Sequence, residues 1–424
     1  MKSIAFYTLG CKLNFAETST IAEKFRNAGY KIVDFESIAD IYVIHTCSVT
    51  SMAEKKSRQA MRQAKRRNNK ALIPFIGCYA ELRYDEIKKL NIANIIIGNK
   101  DKYELLNFIT NNNITINKVN EEFVPAMSLG RERTRSFLKI QDGCDYFCAY
   151  CTVPYARGPS RSMKIVDIKN MFSLLADKGI KEVVLTGVNV GDFGRKNGEN
   201  LKQLLYELEN IKKIERIRIS SIEPDLLDTE LIKLIADSEI IAPHFHLPLQ
   251  SGSDVVLKLM GRRYNINSFI EKVELIKKTI PTAFIAADVI TGFPGETDLE
   301  YEKTKKIIEL LPLSELHVFT YSERPGTKAA TMNNKISESV KKKRTDELLY
   351  ISKNKKKVFY LSNKGSIQKV LWENNNYKQF MSGYTANYLK IIAKYDINKI
   401  NSFETIKLTE LNKDLTFSCI SLQE

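Results

Sequence analysis

Residues 141–158 read QDGCDYFCAYCTVPYARG and place Cys144, Cys148 and Cys151 at the spacing C-x3-C-x2-C. A structural zinc site commonly uses four ligands in two pairs, whereas this loop offers three thiols and no nearby histidine. An iron–sulfur cluster normally takes a cysteine at each iron, so three cysteines on a four-iron cubane leave one iron open. The spacing therefore favours a 4Fe–4S cluster that binds S-adenosylmethionine (SAM) through its amino and carboxylate groups, and zinc remains the alternative.

The cysteine loop follows the first of six segments rich in β-branched and aromatic residues, and amphipathic helical patterns lie between them. The six segments read SFLKIQ, EVVLTG, RIRISS, HFHLPL, AFIAADVITG and ELHVFTYS. Consecutive βα units predict a partial (βα)6 barrel with its chemistry at the C-terminal ends of the strands. Cys144 follows the first strand, which is where this architecture places a reactive site.

A second cysteine triplet lies upstream, in a block that also alternates between strand and helix patterns. The segments SIAFYTLG, IYVIHT, ALIPFIG and NIIIG predict buried strands of a parallel α/β domain. Cys11, Cys47 and Cys78 follow the first three strands. Loops after the strands of an open parallel sheet share one edge, so the three thiols are expected to meet there. Three unrelated core cysteines are the structural alternative.

The remaining segments divide the chain into three parts. Residues 111–134 are polar and irregular and predict a linker, and Ser51 and Glu54 form a capping-box pattern that opens a basic helix. Residues 337–357 predict a charged helix. The aromatic, turn-rich segment after it predicts a small antiparallel β-barrel of the kind that binds nucleic acid. We therefore expect domains at residues 1–115, 130–356 and 357–424.

The net charge and the hydropathy of the chain indicate which kinds of molecule it binds. Lys and Arg total 65 and Asp and Glu total 50, a net charge of +15 that suits a polyanion such as nucleic acid. A lysine-rich composition without such a partner is the alternative. No segment approaches the ~18 apolar residues that a membrane span needs, and the N-terminus lacks a signal-peptide pattern. We expect a soluble, cytoplasmic protein that does not contact a membrane.

Six motifs in register resemble those of the radical SAM methylthiotransferases over essentially the full chain. They read LGCKLNFAET, HTCSVT, PFIGCYA, IQDGCDYFCAYCTVPYARGPSRS, HLPLQSGSD and TGFPGET. The resemblance implies an N-terminal domain with an auxiliary 4Fe–4S cluster, a radical SAM barrel and a C-terminal TRAM domain. It implies that the auxiliary cluster is ligated by Cys11, Cys47 and Cys78, and the SAM-binding cluster by Cys144, Cys148 and Cys151.

The GCKLN motif around the first cysteine resembles the branch that modifies N6-threonylcarbamoyladenosine at position 37 of tRNA. This resemblance implies methylthiolation of C2 of that adenine in the anticodon stem-loop, with SAM as methyl donor and radical source. A monomeric enzyme and an electron donor such as flavodoxin or ferredoxin are expected. Branches that act on isopentenyladenosine tRNA or on a ribosomal protein remain alternatives. A zinc-stabilised nucleic-acid-binding protein without catalysis is the alternative from another class.

Several residues outside the cysteine motifs are candidates for contact with the cofactor. The resemblance places LTGVN at a SAM-binding turn, two polar residues stand at strand ends, and a glycine marks a close backbone approach. Caps and tight turns are the structural alternatives. The predicted cofactor-binding residues are Thr186, Gly187, Asn189, Glu223, Gln250 and Gly292.

Two arginines follow the cluster loop and are candidates for contact with substrate. Arg157 and Arg161 are predicted to bind RNA phosphate or the SAM carboxylate. Arg157 is the first candidate for a cation that faces the threonylcarbamoyl carboxylate. Ordinary ion pairing within the fold is the alternative for both.

Overall fold

The structure, a computed structural model, describes residues 1–110, 122–129, 134–211, 213–375 and 379–422. The first part of the chain forms a five-stranded sheet with strand order β2-β1-β3-β4-β5, in which every neighbouring pair is parallel. Its elements are β1 (Ser3–Thr8), α1 (Lys12–Asn27), β2 (Lys31–Val33), β3 (Ile41–Thr46), α2 (Ser51–Arg67), β4 (Pro74–Gly77), α3 (Cys78–Leu82), α4 (Tyr84–Lys89), β5 (Ile95–Ile97) and α5 (Leu105–Thr110). The four predicted strands are confirmed. The edge strand β2 has only three residues, too few for a recognisable pattern.

The central part of the chain forms the partial barrel. Its elements are β6 (Ala126–Met127), β7 (Ser136–Lys139), β8 (Gln141–Asp142), α6 (Val153–Arg157), β9 (Arg161–Ser162), α7 (Ile165–Asp177), β10 (Glu182–Thr186), α8 (Leu201–Glu209), β11 (Arg216–Ile219), α9 (Thr229–Asp237), β12 (His244–Gln250), α10 (Asp254–Met260), α11 (Ile266–Thr279), β13 (Phe284–Thr291), α12 (Asp298–Leu310), β14 (Glu315–Thr320) and α13 (Glu338–Ser362). The strands lie in the order β11-β10-β7-β6 and β12-β13-β14. A parallel bridge between Ile217 and Ile241 joins the two groups. All six predicted barrel strands are confirmed.

Helices cover the outer face of this barrel through a shared apolar core. In α7, Ile168, Phe172 and Leu175 recur at helical spacing and are fully buried. They pack in one cluster with Val183 and Leu185, which alternate along β10. This packing leaves the other face of the strands pointing into the barrel, where polar side chains gather.

The last part of the chain forms a closed barrel with strand order β15-β16-β17-β19-β18. Its strands are β15 (Ile367–Trp372), β16 (Phe380–Thr385), β17 (Lys390–Lys394), β18 (Phe403–Leu411) and β19 (Phe417–Ser421). The prediction of a small β-barrel is confirmed, although β17 and β19 pair in parallel. Arg216 and Arg218 of β11 donate to backbone carbonyls of this barrel, at 2.9 Å to Tyr384 and 3.0 Å to Ala386.

Two local predictions need correction. The N-cap of α2 is Thr50, which accepts from the Ala53 N–H, so Ser51 lies inside the helix and Glu54 pairs with Arg324 instead of closing a capping box. Part of the expected linker is a strand, because β6 pairs antiparallel with β7. The rest of that prediction, at residues 111–121 and 130–133, lies outside the described residues. None of the described helices combines the length and apolarity that a bilayer crossing requires.

Candidate active site

The loop that carries Cys144, Cys148 and Cys151 is closed at its base by a short antiparallel pair, β8 with β9. Gly143 opens the loop with a φ of +69°, and a Cβ built there would lie 2.0 Å from the Pro159 carbonyl oxygen. Glycine is therefore required at this turn.

N–H groups surround the sulfur atoms of this triplet. Arg262 Nη1 donates to Cys148 Sγ at 3.1 Å, and the Val153 backbone N–H donates to Cys151 Sγ at 3.4 Å. Burial raises the pKa of Cys151 to about 12 and that of Cys144 to about 11. These thiols keep their protons at neutral pH unless a metal displaces them. Donors directed at sulfur, and thiols that need a cation to ionise, both fit a cluster ligand set.

The first cysteine triplet lies at one edge of the N-terminal sheet. Cys11 precedes α1, Cys47 directly follows β3, and Cys78 opens α3 directly after β4. Because β1, β3 and β4 are adjacent and parallel, their following loops share this edge. Burial and then the charges of Cys78 and Cys11 raise the pKa of Cys47 to about 12, so the three thiols influence one another. The structure thus brings them together as the strand pattern predicts.

The two triplets lie next to each other across the boundary between sheet and barrel. Ser48, which follows a cysteine of the first triplet, lies 3.4 Å from Thr152, which follows a cysteine of the second, measured between hydroxyl oxygens. Asn99 Nδ2 donates to Cys78 Sγ at 3.3 Å and to the Ala156 carbonyl at 2.8 Å. The side chain of Asn99 therefore connects the first triplet to the helix that follows the second.

The spacing of the sulfur atoms bears on the choice between zinc and a cluster. Tetrahedral zinc with Zn–S bonds of 2.3 Å places its sulfur ligands about 3.8 Å apart. Within the described residues, one set of three His, Cys, Asp or Glu side chains has its ligand atoms within 4.8 Å of one another, and it contains no cysteine. Neither triplet is gathered as closely as one zinc ion requires, whereas cysteines of a cubane each bind a different iron.

A buried cluster of charged side chains joins α1 to the loop of the second triplet. Arg157 donates to both carboxylate oxygens of Glu17 at 3.1 Å and to Asp142 at 2.9 Å. Lys102 and Lys139 reach Glu17 at 2.5 Å and 3.1 Å. Burial alone would raise the pKa of Glu17, but Arg157, Lys102 and Lys139 hold it well below its usual range. We call these five residues the buried ion cluster.

The buried ion cluster corrects the role predicted for Arg157. This residue is 5% exposed, and both terminal nitrogens of its guanidinium group donate to protein oxygens. It therefore orients the cysteine loop and presents no cation to a substrate. Arg161 remains partly exposed and donates to Asp142 at 3.1 Å and to the Arg157 carbonyl at 2.8 Å.

Two of the predicted cofactor-binding side chains have unmet hydrogen bonds. Among the residues that the structure describes, neither the amide nitrogen nor the oxygen of the buried Asn189 has a partner, and the buried amide oxygen of Gln250 also has none. Buried polar atoms of this kind normally have a partner, so both side chains suit a polar ligand. Gln141, which the sequence did not single out, accepts from the Asn189 N–H at 2.8 Å and leaves no room for a side chain at Gly187.

The other predicted cofactor-binding residues are engaged within the fold. Glu223 pairs with Arg262, and burial, opposed by Arg262, raises its pKa to about 7. Arg262 was missed because nothing in its local sequence marks it. The Thr186 carbonyl accepts from Ile140 N–H at 2.9 Å within the sheet. Gly292 approaches the side chain of Lys341 in α13, 2.2 Å from a built Cβ, and its contact with the cofactor stays a prediction.

A cavity of about 200 Å³ opens between the two cysteine loops. Thr50 lines it from the loop of the first triplet, and Tyr150 lines it from the loop of the second. Gln250, Asp288 and Phe319 line it from the interior face of the barrel. The cavity thus borders the loops that carry both cysteine triplets, although no cysteine is among its lining residues, and it faces the C-terminal ends of the barrel strands.

Comparison with known proteins agrees with this arrangement. Residues 138–308 match the family described as Radical SAM superfamily, and residues 3–98 match Uncharacterized protein family UPF0004. A relative from Aquifex aeolicus (strain VF5), named threonylcarbamoyladenosine tRNA methylthiotransferase MtaB, is 43% identical over 85% of this chain and 90% of its own length. A Fusobacterium nucleatum relative, named tRNA-2-methylthio-N(6)-dimethylallyladenosine synthase, is 34% identical over 97% of this chain and 98% of its own length.

Solved structures support the fold. The radical S-adenosylmethionine methyltransferase TsrM from Kitasatospora setae, with cobalamin and a [4Fe-4S] cluster bound, has a TM-score of 0.57 at 14% identity. The match covers 78% of this chain and 77% of TsrM, and at this identity it concerns the fold alone. The family match, the relatives above and the two neighbouring cysteine triplets agree. The chain belongs to the radical SAM tRNA methylthiotransferase family.

Proposed function

We propose that this tRNA methylthiotransferase acts on C2 of N6-threonylcarbamoyladenosine at position 37, in the anticodon stem-loop. The observation that carries the proposal is the cavity lined by residues of both cysteine loops, since a base placed there contacts the loop of each triplet. The target base must leave its stack to reach such a site. The similarity to the Aquifex aeolicus relative supports the choice of nucleoside.

The proposal assigns the first triplet to an auxiliary 4Fe–4S cluster and the second to the cluster that binds SAM. When bound, the second cluster supplies the electron that cleaves SAM reductively and so yields a radical. Asn189 and Gln250 offer their unmet hydrogen bonds to SAM, and Arg262 stabilises the Cys148 thiolate. Arg161 and the basic surface of the chain bind tRNA phosphate.

The organisation of the chain completes the proposal. We assign residues 1–115 to the auxiliary-cluster domain, 130–356 to the radical SAM core and 357–424 to a TRAM domain that holds RNA. The enzyme works as a monomer and takes its electrons from a small carrier such as flavodoxin or ferredoxin.

Cysteine substitutions test the ligand assignment. Changing Cys144, Cys148 and Cys151 together to Ala should halve the iron content and abolish SAM cleavage. Changing Cys11, Cys47 and Cys78 should also halve the iron but leave cleavage of SAM to 5′-deoxyadenosine detectable. Cys419→Ala, in β19, is the control and should keep all iron. Full iron in either triple variant, or zinc in place of iron, contradicts the assignment.

Reconstituted enzyme tests the substrate. Incubation with SAM and a reductant should methylthiolate tRNA that carries N6-threonylcarbamoyladenosine and leave unmodified and isopentenylated tRNA unchanged, as read by nucleoside mass spectrometry. Comparable modification of isopentenylated tRNA would reject the nucleoside and keep the family. Activity on a ribosomal protein alone would reject the tRNA substrate.

A further inference from the structure

Three polar side chains meet inside the barrel, beside the cavity. His246, Asp288 and His317 occupy the neighbouring parallel strands β12, β13 and β14. His246 Nε2 lies 2.6 Å from Asp288 Oδ1, and His317 Nδ1 lies 3.1 Å from the same oxygen. Asp288 itself lines the cavity. We call these residues the histidine–aspartate triad.

The distances decide whether this triad is a metal site or a hydrogen-bonded group. Metal–nitrogen and metal–oxygen bonds of about 2.1 Å separate ligand atoms by about 3.0 Å in an octahedron and about 3.4 Å in a tetrahedron. The 2.6 Å contact between His246 and Asp288 is shorter than either and fits a direct hydrogen bond. Both histidines therefore donate to Asp288, and the triad is held by its own hydrogen bonds.

Within the described part of the chain, this bonding leaves the Nε2 edge of His317 without a hydrogen bond. Nδ1 is committed to Asp288, so Nε2 points away from it, and the His317 side chain is 42% exposed. The hydrogen bond to Asp288 raises the pKa of His317, which favours the doubly protonated ring and a second N–H donor. The free edge thus suits a hydrogen-bond acceptor, above all an anion.

A second cation without a partner lies nearby. Lys12 opens α1 directly after Cys11, and within the described part of the chain its amine has no hydrogen bond or ion pair. Its positive charge acts on His317 and opposes protonation of that ring, and burial lowers the pKa of Lys12 itself. Arginines near Lys12 are already paired: Arg218 bonds to Glu182 and Arg135 bonds to Glu373. Within the described residues, these arginines therefore each have a carboxylate partner and the amine of Lys12 has none.

We propose that the free edge of His317 and the amine of Lys12 together bind a carboxylate of an amino-acid group on the substrate base. This inference rests on the proposed function and deepens it, because the threonylcarbamoyl group carries such a carboxylate. The pair replaces Arg157 as the cationic part of the site. It also places the recognition of the substituent beside Cys11, one residue from a proposed ligand of the auxiliary cluster.

The test uses the reconstituted holoenzyme and two anticodon stem-loops. One carries N6-threonylcarbamoyladenosine, and the other carries its methyl ester, which is neutral at the same position. Wild type should favour the acid over the ester in both Kd and kcat/KM. Lys12→Gln should lose about 10- to 100-fold on the acid and less than about 3-fold on the ester. Lys24→Gln, an exposed lysine of the same helix that bonds to the Tyr103 carbonyl, is the control and should match wild type.

Two substitutions at His317 separate recognition from structure. The amide of His317→Asn can keep the hydrogen bond to Asp288 but has no far edge, so it should lose the preference for the acid. The amide of His317→Gln reaches toward the position of Nε2 and should retain part of that preference. Uncoupled cleavage of SAM should persist in both, since neither change touches a cysteine loop.

The outcomes distinguish the inference from the proposed function. If wild type does not separate acid from ester, or if Lys12→Gln and His317→Asn keep the wild-type preference, the inference is overturned while the function stands. If wild type neglects threonylcarbamoylated tRNA altogether, the proposed function fails and the inference fails with it.

Discussion

Glu17→Gln removes one negative charge from the centre of the buried ion cluster. Glu17 and Asp142 are the two buried carboxylates of this cluster, and they face the three buried cations Lys102, Lys139 and Arg157. After the substitution, one carboxylate faces three cations. The amide keeps the shape of the side chain, so the change isolates charge from packing.

The size of the effect follows from burial. Glu17 is 0% exposed, so water cannot replace the lost carboxylate around the cations. Removing one partner of a buried ion pair costs about 3–5 kcal/mol, because it leaves uncompensated buried charge. In an N-terminal domain of about 115 residues, 1 kcal/mol shifts the melting temperature by about 4 °C, so Glu17→Gln should lower Tm by about 12–20 °C.

Thermal unfolding followed by circular dichroism under anaerobic conditions measures this effect. Glu207→Gln is the control, because it removes an ion pair with Lys169 at 2.6 Å in which both side chains are about 40% exposed. A surface pair contributes about 0–1 kcal/mol, so the control should shift Tm by no more than about 4 °C. Equal Tm values for the two variants would refute the reasoning, since burial would then have no energetic consequence.

Three further substitutions test other parts of the fold. Gly143→Ala should prevent normal incorporation of the cluster and lower the iron content. Gly179→Ala is the control, because Gly179 has a similar φ of +76° but a built Cβ meets no described atom within 4 Å. It should lower the free energy of unfolding by about 1 kcal/mol and keep full iron. Thr50→Ala should lower the stability of the N-terminal sheet by about 1 kcal/mol through loss of the α2 cap, measured by urea unfolding. Burial alone would raise the pKa of Glu182, but Arg218 and neighbouring arginines lower it to about 2. The ionised Glu182 therefore stabilises the folded state above pH 4.5, and this contribution to the free energy of unfolding is lost as the pH drops from 4.5 toward 2. Glu182→Gln should therefore make the free energy of unfolding less dependent on pH between about 4.5 and 2. An unchanged pH dependence in this range would contradict the reasoning.

The correct sequence predictions share a local origin. The strands β1, β3, β4 and β5 and the six barrel strands are short segments rich in apolar residues, which local sequence preference favours as strands. The positions of Cys11, Cys47 and Cys78 in the loops that follow β1, β3 and β4 are equally local. Parallel pairing then places the loops after adjacent strands at one edge, so the approach of Cys11, Cys47 and Cys78 follows from order along the chain.

The incorrect predictions concern which partner a side chain finds. Arg157 was expected to face substrate because it follows the cysteine loop, but α1 brings Glu17 against it from a distant part of the sequence. Glu54 was expected to close a capping box with Ser51, but it pairs with the distant Arg324. Such contacts join residues far apart in the chain, and no local pattern records them.

The sequence by itself determined the three-part architecture, the two cysteine triplets and the strand ends at which they stand. Only the tertiary structure decided which charges are buried and paired and which remain available. Arg157 is paired, whereas Lys12 has no partner among the described residues, although both are cations that lie close in sequence to a cysteine. The reason is physical: ion pairing depends on separations of about 4 Å in space, and packing brings together groups that sequence order separates.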